Sequence, residues 1–393
     1  MTTILPFDAA TVPVAVSHDP APIAADVLST HDSDASRQLK SLLGNSGICN
    51  LSTYADPESD VSLGGHETSS GDTLSNDEAR EVGCMAAKGW IRVTGNDRVR
   101  WLNGMVTNSI QQLQPGQGCY NFILSAQGRI QGDCYAFAQP DALLIETDRA
   151  QVAPLLALLD RFIIMDDVEL RDESEEWSGI RIAGPQAAAA LGRIGFPAGL
   201  QPVHLESLPV PGGTVRFIAA HSYGVPRFEI WATPEAISEI SRKLIDAGAD
   251  LCGERAVEWL RILEGAPRYG TDIRDKDLPQ ETAQSHALHF SKGCYIGQEI
   301  VERIRSRGSV HRTFAAFLLH GEPPAAGALL EADGQKAGEL TSFSRILVDG
   351  HETSIALGYA RRDALGRHAV LRYPGGTAEP VSLPHLPAWS ASK

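Results

Sequence analysis

The chain has 393 residues, 43% of them hydrophobic, enough for a sizeable core spread over two or three domains. Its 34 basic and 49 acidic residues leave a formal net charge of -15, which argues against a general electrostatic grip on nucleic acid, since phosphate neutralisation needs a basic face. Six scattered cysteines with no CxxC spacing argue against a zinc site or a self-contained Fe–S site.

Residues 1 to about 35 mix Pro, Ala, Asp and Ser without periodicity and read as a poorly ordered tail. The N-terminus lacks the basic region of a signal peptide. No run reaches the roughly 20 apolar residues of a membrane span. A soluble, cytoplasmic protein with reduced thiols is expected. Residues 54–80 are polar, acidic and Gly/Ser-rich, a long loop or insertion. Order begins near Lys88, where "GWIRVTG" alternates as a strand does. "NDRVRWLNGMVTNSIQQL" then sets Val99, Leu102, Val106, Ile110 and Leu113 at helical spacing, with Pro115-Gly116 as the stop. "YNFILSAQGRIQGDCYAF" predicts a hairpin turning at Gln127-Gly128, followed by the strand "ALLIET" and a helix over about 150–163. A similar order recurs: strand "SGIRIAG", an Ala-rich helix after Pro185, strands "TVRFIAA" and "RFEIWAT", and a helix capped by Thr233-Pro234. Two such passes suggest a duplicated α+β architecture. Another helix, about 253–264, precedes the stretch discussed next. From Thr313 short strands separated by Gly and Pro predict a small all-β module of about 80 residues, barrel or sandwich.

The densest chemistry lies in "HFSKGCYIGQEIVERIRSRG", His289 to Gly308. A cysteine is nucleophilic as thiolate, and nearby cations or a helix N-terminus lower its pKa. Lys292 stands two residues before Cys294, and a helix predicted from about Ile296 to Arg305 would put the thiol near its positive end. Gly293 and Gly297 would let the backbone turn tightly and approach a ligand. The competing account is a cysteine acting as a small buried hydrophobe. The other five cysteines lack such neighbours and read as structural. Between Ser291 and Arg312, Lys292, Arg303, Arg305, Arg307 and Arg312 face only Glu299 and Glu302. Two readings stand side by side: a solvated helix with Glu299 and Arg303 paired at i,i+4, and a seat for a small polyanion gripped by guanidinium groups.

The motif "KGCYIGQEIVERIRSRG" resembles the K-G-C-[FY]-x-G-Q-E signature of the YgfZ family, folate-binding proteins related to the glycine-cleavage T-protein, the aminomethyltransferase. "LRILEGAPRYGTDI" and "VTGNDRVRWLNGMVTNSI" look like further segments of those relatives, and the resemblance covers about residues 88 to 375. It implies an α+β fold of two intertwined lobes (residues 36–311, with the insertion at about 54–80) and a C-terminal β-barrel (312–393). It also implies binding of tetrahydrofolate or a one-carbon derivative, and support of Fe–S enzymes or Fe–S assembly proteins, the tRNA-methylthiolating class included. No membrane and no direct nucleic-acid partner is expected.

Carried over residue by residue, the resemblance places the signature lysine and cysteine at Lys292 and Cys294. Glu229 stands at the glutamate that holds the pterin, and Arg261 at an arginine of the folate site. Asp133 lies near the relatives' catalytic aspartate. Tyr295, Arg303 and Arg305 join the expected cofactor-binding set, the arginines attracting the anionic glutamate tail while Lys292 keeps Cys294 ionised. Two positions depart from the pattern: Gly132 replaces one of two adjacent carboxylates, and Ser109 replaces an Asp. These departures count against a true aminomethyltransferase or demethylase, which stays open as an alternative, as does a folate-independent thiol enzyme.

Overall fold

In the computed structural model the described residues are 25–51, 87–197, 199–210, 213–308 and 310–386. The expected insertion at 54–80 lies outside them, as do residues 1–24 of the expected tail. The remainder of that tail is not irregular. Helix α1 (Ala25–Gly44) runs through it and buries Ala35, Leu39 and Leu42. The expectation of an unstructured stretch to residue 35 is therefore corrected: the apolar spacing of α1 is carried by few, widely set residues among polar ones, and packing rather than propensity holds it.

Strand β1 (Gly47–Asn50) follows, and then two passes of like order. The first is β2 (Lys88–Thr94), α2 (Arg98–Met105), β3 (Gly118–Leu124), β4 (Ile130–Ala138), β5 (Leu143–Asp148), α3 (Arg149–Asp160) and β6 (Glu169–Asp172). The second is β7 (Ser178–Ala183), α4 (Ala187–Arg193), β8 (His204–Val210), β9 (Gly213–Ala219), β10 (Arg227–Ala232), α5 (Pro234–Asp246) and β11 (Asp250–Leu251). Their sheets read β3-β4-β5-β2-β6 and β8-β9-β10-β7-β1-β11. The order is the same, except that β1 lies between β7 and β11. A strand from before the first lobe thus completes the second, and the lobes are intertwined. The duplication also marks the turns. β2 runs out in "IRVTG" and β7 in "IRIAG", and both terminal glycines have positive φ, 96° at Gly95 and 124° at Gly184. A Cβ there would lie 2.0 Å from the Asp167 carbonyl oxygen and 2.3 Å from that of Asn45, so only glycine fits.

Strand alternation divides each sheet into two faces. Ile91, Val93 and Ile145 turn outward to α2 and α3, and Ile180, Ile182 and Ile230 do the same against α4 and α5. The opposite faces meet each other through Trp90, Phe137 and Leu144 on one side and Leu205, Ile218 and Trp231 on the other. Trp90 and Trp231 meet edge to face at 5.5 Å, a pairing that contributes about 0.5–1.5 kcal/mol beyond its buried area.

The predicted helix to Leu113 is shorter: α2 stops at Met105 and Val106 is extended. The carbonyls that would continue it are taken elsewhere, because Lys292 Nζ donates to the Asn103, Val106 and Asn108 oxygens. Asn103 Oδ1 meanwhile accepts from the Ile110 N–H. The hairpin between β3 and β4 turns where expected, with Gly128 at φ 70°. Thr233 caps α5 by accepting from the Ala236 N–H, with Pro234 in the first turn. Helix α6 (Glu254–Glu264) and helix α7 (Gln298–Arg307) lead to a closed barrel of order β12-β15-β14-β13-β16-β17. Its members are β12 (Arg312–Gly321), β13 (Leu329–Ala332), β14 (Gln335–Val348), β15 (His351–Arg361), β16 (Leu371–Tyr373) and β17 (Gly376–Val381), with a short helix α8 (Arg362–Gly366) after β15. α1 and α6 pack together on the barrel, where Leu39, Leu42, Trp259 and Leu263 share a core with Ile346 and Leu357. No helix among the described residues is long and apolar enough to cross a membrane.

Candidate functional site

Where the inner faces of the two sheets separate, a cavity of about 170 Å³ opens. β2, β4 and β5 supply Lys88, Asp133, Tyr135 and Glu146 to its wall; β7 and β10 supply Arg181 and Glu229. His221 and Tyr223, before β10, and Arg268 and Tyr269, after α6, also line it. The alternation that sends isoleucines outward sends the charged strand side chains inward, into a part of the interface that apolar residues do not fill.

Glu229 is 2% exposed and is held from its neighbouring strand. Arg181 faces it across the β7–β10 pair and donates to Oε1 from Nε at 3.1 Å and Nη2 at 2.5 Å, while the Trp231 indole N–H reaches Oε2 at 3.3 Å. Burial alone would raise this carboxyl; Arg181 and Lys88 outweigh it, and the pKa is lowered. Glu229 is thus an ionised acceptor with spare lone pairs. Asp133 is fixed by the Tyr120 hydroxyl at 2.6 Å and Gln151 Nε2 at 2.8 Å. Burial and the nearby Asp148 carboxylate raise its pKa. Gly132 has its back to the cavity: a Cβ there would lie 2.7 Å from Leu155 of α3. A carboxylate at that position would point at Leu155 and Gln151 of α3 and not at the ligand space.

Arg261 also lines the cavity, but its guanidinium is spent. Its N–H groups donate to both Glu258 oxygens, to Asp272 Oδ2 and the Ala266 carbonyl at 2.7 and 2.6 Å, and to Ser342 Oγ of β14 at 2.9 Å. An arginine has five donors, and all five are engaged. The expected folate contact is replaced by a fastening between α6, the loop after it and the barrel. Arg268, which pattern reading passed over, is less committed; among the described residues its side chain makes one bond, Nη2 to Glu258 at 2.8 Å.

The signature stretch lies apart from this cavity. Lys292 is half-buried beneath α2 as a cap on three carbonyls, and partial burial draws its ammonium down to about 8 while those acceptors favour the charged form. It is not aimed at Cys294, so the expected thiolate partnership is absent. Cys294 is exposed, four residues ahead of α7 rather than at its end. Tyr295 is a core residue, packed with Phe122, Ile130 and Val301, and Lys292 Nζ lies 5.0 Å from its ring centroid. Gly297, at φ 81°, approaches the β3–β4 turn and not a ligand; a Cβ there would stand 2.6 Å from the Ser125 carbonyl oxygen. Arg305 pairs with Glu302 and stacks 4.9 Å over Phe290, and Arg303 is solvent-exposed. Arg312 is bound to Asp277, Glu281 and Glu339 at the barrel edge. Lys292, Arg305 and Arg312 therefore do not converge on one anion seat. Among the described cysteines, burial pushes Cys49 and Cys119 up to about 11 and Cys252 up to about 12, and it raises Cys134 as well.

Lys88, Glu146 and Arg181 escaped the motif search. The signal for Glu146 and Arg181 was present in "LLIET" and "GIRIAG", a single charge inside each apolar strand at a position alternation aims inward, and Lys88 shares the inward face of "KGW" with Trp90.

A family profile described as the GCVT N-terminal domain matches residues 81–292. An aminomethyltransferase of Nostoc sp. is 30% identical over 319 residues, covering 75% of this chain and 83% of that protein. A putative chloroplastic transferase of Arabidopsis thaliana is 26% identical over 286 residues, 70% of this chain; the match spans 64% of that protein's length. Among solved structures, the glycine cleavage system aminomethyltransferase T from Bartonella henselae superposes with a TM-score of 0.71 at 18% identity, covering 90% of this chain and 89% of that one.

Proposed function

The chain belongs to the GCVT N-terminal domain family, and from that premise we propose that it binds tetrahydrofolate, or a one-carbon derivative, with the ring system in the cavity between the lobes. The observation that carries this reading is Glu229: a buried, ionised carboxylate, oriented by Arg181 and Trp231, on the cavity wall. Such a group accepts two N–H bonds from an aminopyrimidinone edge. At about 170 Å³ the cavity is below the roughly 300–1,000 Å³ of sites that enclose drug-sized ligands, so it suits a bicyclic ring with the rest of the molecule outside. Tyr135, Tyr223 and Tyr269 offer faces for such a ring. Arg268, with donors to spare, is the group for a carboxylate of the tail. Bound there, the folate would supply N5 and N10 as carriers of a one-carbon unit.

The finer assignment is that of the YgfZ type: a folate-binding accessory protein for Fe–S enzymes or their assembly. It rests on the KGCYIGQE signature, and the exposure of Cys294 supports it by leaving the thiol open to a protein partner. A second reading, folate-dependent aminomethyl transfer, is favoured by Asp133, whose half-buried carboxyl shares the cavity with Glu229. Calorimetric titration of the full chain with tetrahydrofolate, beside glycine and formate controls, tests the binding; Glu229→Gln should weaken it by roughly 1–3 kcal/mol. Complementation of a deletion strain, scored on an Fe–S enzyme and on glycine-dependent growth, separates the two roles. Loss of glycine cleavage with intact Fe–S enzymes would select the transferase.

A further inference from the structure

Glu146 is the acid of the cavity that no hydrogen bond holds among the described residues. It lies at the middle of β5, 4% exposed, and lines the cavity. Its cross-strand neighbours are Trp90 on β2 and Tyr135 on β4, neither of them charged. Glu229, by contrast, faces Arg181. No hydrogen bond to the Glu146 carboxyl is made among the described residues. The nearest cation is Lys88 Nζ, 4.0 Å from Oε1, and it is engaged by Asp148 at 2.8 Å.

The charges facing Glu146 can be taken element by element. β2 supplies Lys88 and β7 supplies Arg181; β10 supplies Glu229 and Arg227, the latter paired with Glu264; β4 supplies Asp133, and β5 itself Asp148. Lys88 is matched to Asp148 and Arg181 to Glu229. With those pairs made, Glu146 is left in low-dielectric surroundings with no cation of its own, and burial, the largest influence on it, keeps its carboxyl neutral.

We infer that Glu146 holds its proton at neutral pH and presents an O–H donor to the ligand, beside the acceptor presented by Glu229. This rests on the folate reading and narrows it. A wall with one donor carboxyl and one acceptor carboxylate is complementary to a ring edge that carries an acceptor next to N–H donors. The amino-oxo-pyrimidine edge has that pattern, and it occurs in pterins and in guanine. Burial and the repulsion of Glu229 push the Glu146 pKa up to about 8, in line with the geometry. A Glu146 ionised by Lys88 would instead act as a second acceptor and favour a cationic ligand.

The test is anaerobic calorimetric titration of tetrahydrofolate, and separately of guanosine, into the full-length wild type, Glu146→Gln and Glu146→Ala, from pH 6 to 9. Wild-type affinity for tetrahydrofolate should be flat to pH 7 and about tenfold weaker at pH 9, because binding needs the protonated acid. The Gln variant carries an N–H donor at every pH; it should keep the pH 7 affinity and lose the pH dependence. The Ala variant should bind at least about fivefold more weakly throughout, since it leaves the ligand acceptor unpaired. Thermal unfolding of both variants checks that they fold. The same pH signature with guanosine in place of tetrahydrofolate upholds the donor and overturns the folate reading. Tetrahydrofolate binding that is indifferent to both substitutions, or that tightens as pH rises, overturns the donor and leaves the folate reading standing. Binding of neither molecule overturns both.

Discussion

Arg261→Met is the substitution that best separates a structural role from a binding role. The methionine stem fills much of the same space but donates nothing. Five hydrogen bonds are lost, and Asp272, fully buried, loses its cation. Asp272 keeps the Arg268 N–H at 3.0 Å and the Thr341 and Ser342 hydroxyls at 2.5 and 2.7 Å, and Glu258 keeps Arg268. The loss is therefore partial, and the cost of removing one partner from a buried pair, about 3–5 kcal/mol, applies at its lower end. A fall in Tm of roughly 6–12 °C follows at roughly 2–4 °C per kcal/mol. Because the guanidinium has no donor left for a ligand, tetrahydrofolate affinity of the folded variant should stay within about twofold of wild type when titrated well below its Tm. Adding Asp272→Asn should recover part of the stability, since the two residues share one network and their effects are not additive. A variant with wild-type Tm and a tenfold loss of affinity would refute the assignment and return Arg261 to the ligand.

Lys292→Met should destabilise by about 1–3 kcal/mol, by leaving the Asn103, Val106 and Asn108 carbonyls without their donor, and should not change the alkylation rate of Cys294; mass spectrometry after limited iodoacetamide would show a slower Cys294 if the lysine activates it. In the same experiment Cys294 should be modified ahead of the other described cysteines, because they are buried or half-buried with raised pKa values. Gly297→Ala forces a Cβ against the Ser125 carbonyl at a positive φ and should cost about 1–3 kcal/mol in thermal unfolding; an unchanged melting curve would mean the turn gives way. Glu146 holds its proton to about 8 when folded, against 4.5 for an ordinary glutamate, so unfolding releases a proton between those values and wild-type stability falls as pH rises through that window. Glu146→Gln should flatten that fall in urea titrations at pH 5 and pH 8, and equal slopes for the two proteins would count against a buried neutral acid.

The legible parts of the sequence were those where local chemistry and tertiary packing agree. "IRVTG" and "IRIAG" alternate, end in glycine and became equivalent strands of the two duplicated lobes. Thr233-Pro234 started a helix because the cap is local. The helix drawn to Leu113 failed for the opposite reason: its apolar spacing was right, but a lysine about 180 residues away takes its carbonyls. The site shows the same division. Glu229 and Asp133 reached the cavity because strand alternation aims them there. The pairing of Lys292 with Cys294 did not hold, since adjacency along the chain says nothing of where a long flexible side chain finds its acceptors. Arg261 was rightly placed beside the cavity, yet its commitments to Asp272 and Ser342 are contacts no linear motif contains.

The position of β1 has a consequence for how the chain is made. Gly47 pairs with Ala183 on one side and with Asp250 on the other, so this strand waits for partners that leave the ribosome about 130 and 200 residues later. At roughly 5–20 residues per second, that is on the order of ten seconds or more with an unpaired apolar strand and α1 in hand. The first lobe can close in the meantime, but the second sheet cannot. Such long-range pairing slows folding in general, and for this chain it makes the nascent segment around Gly47–Asn50 the natural place for a chaperone to hold.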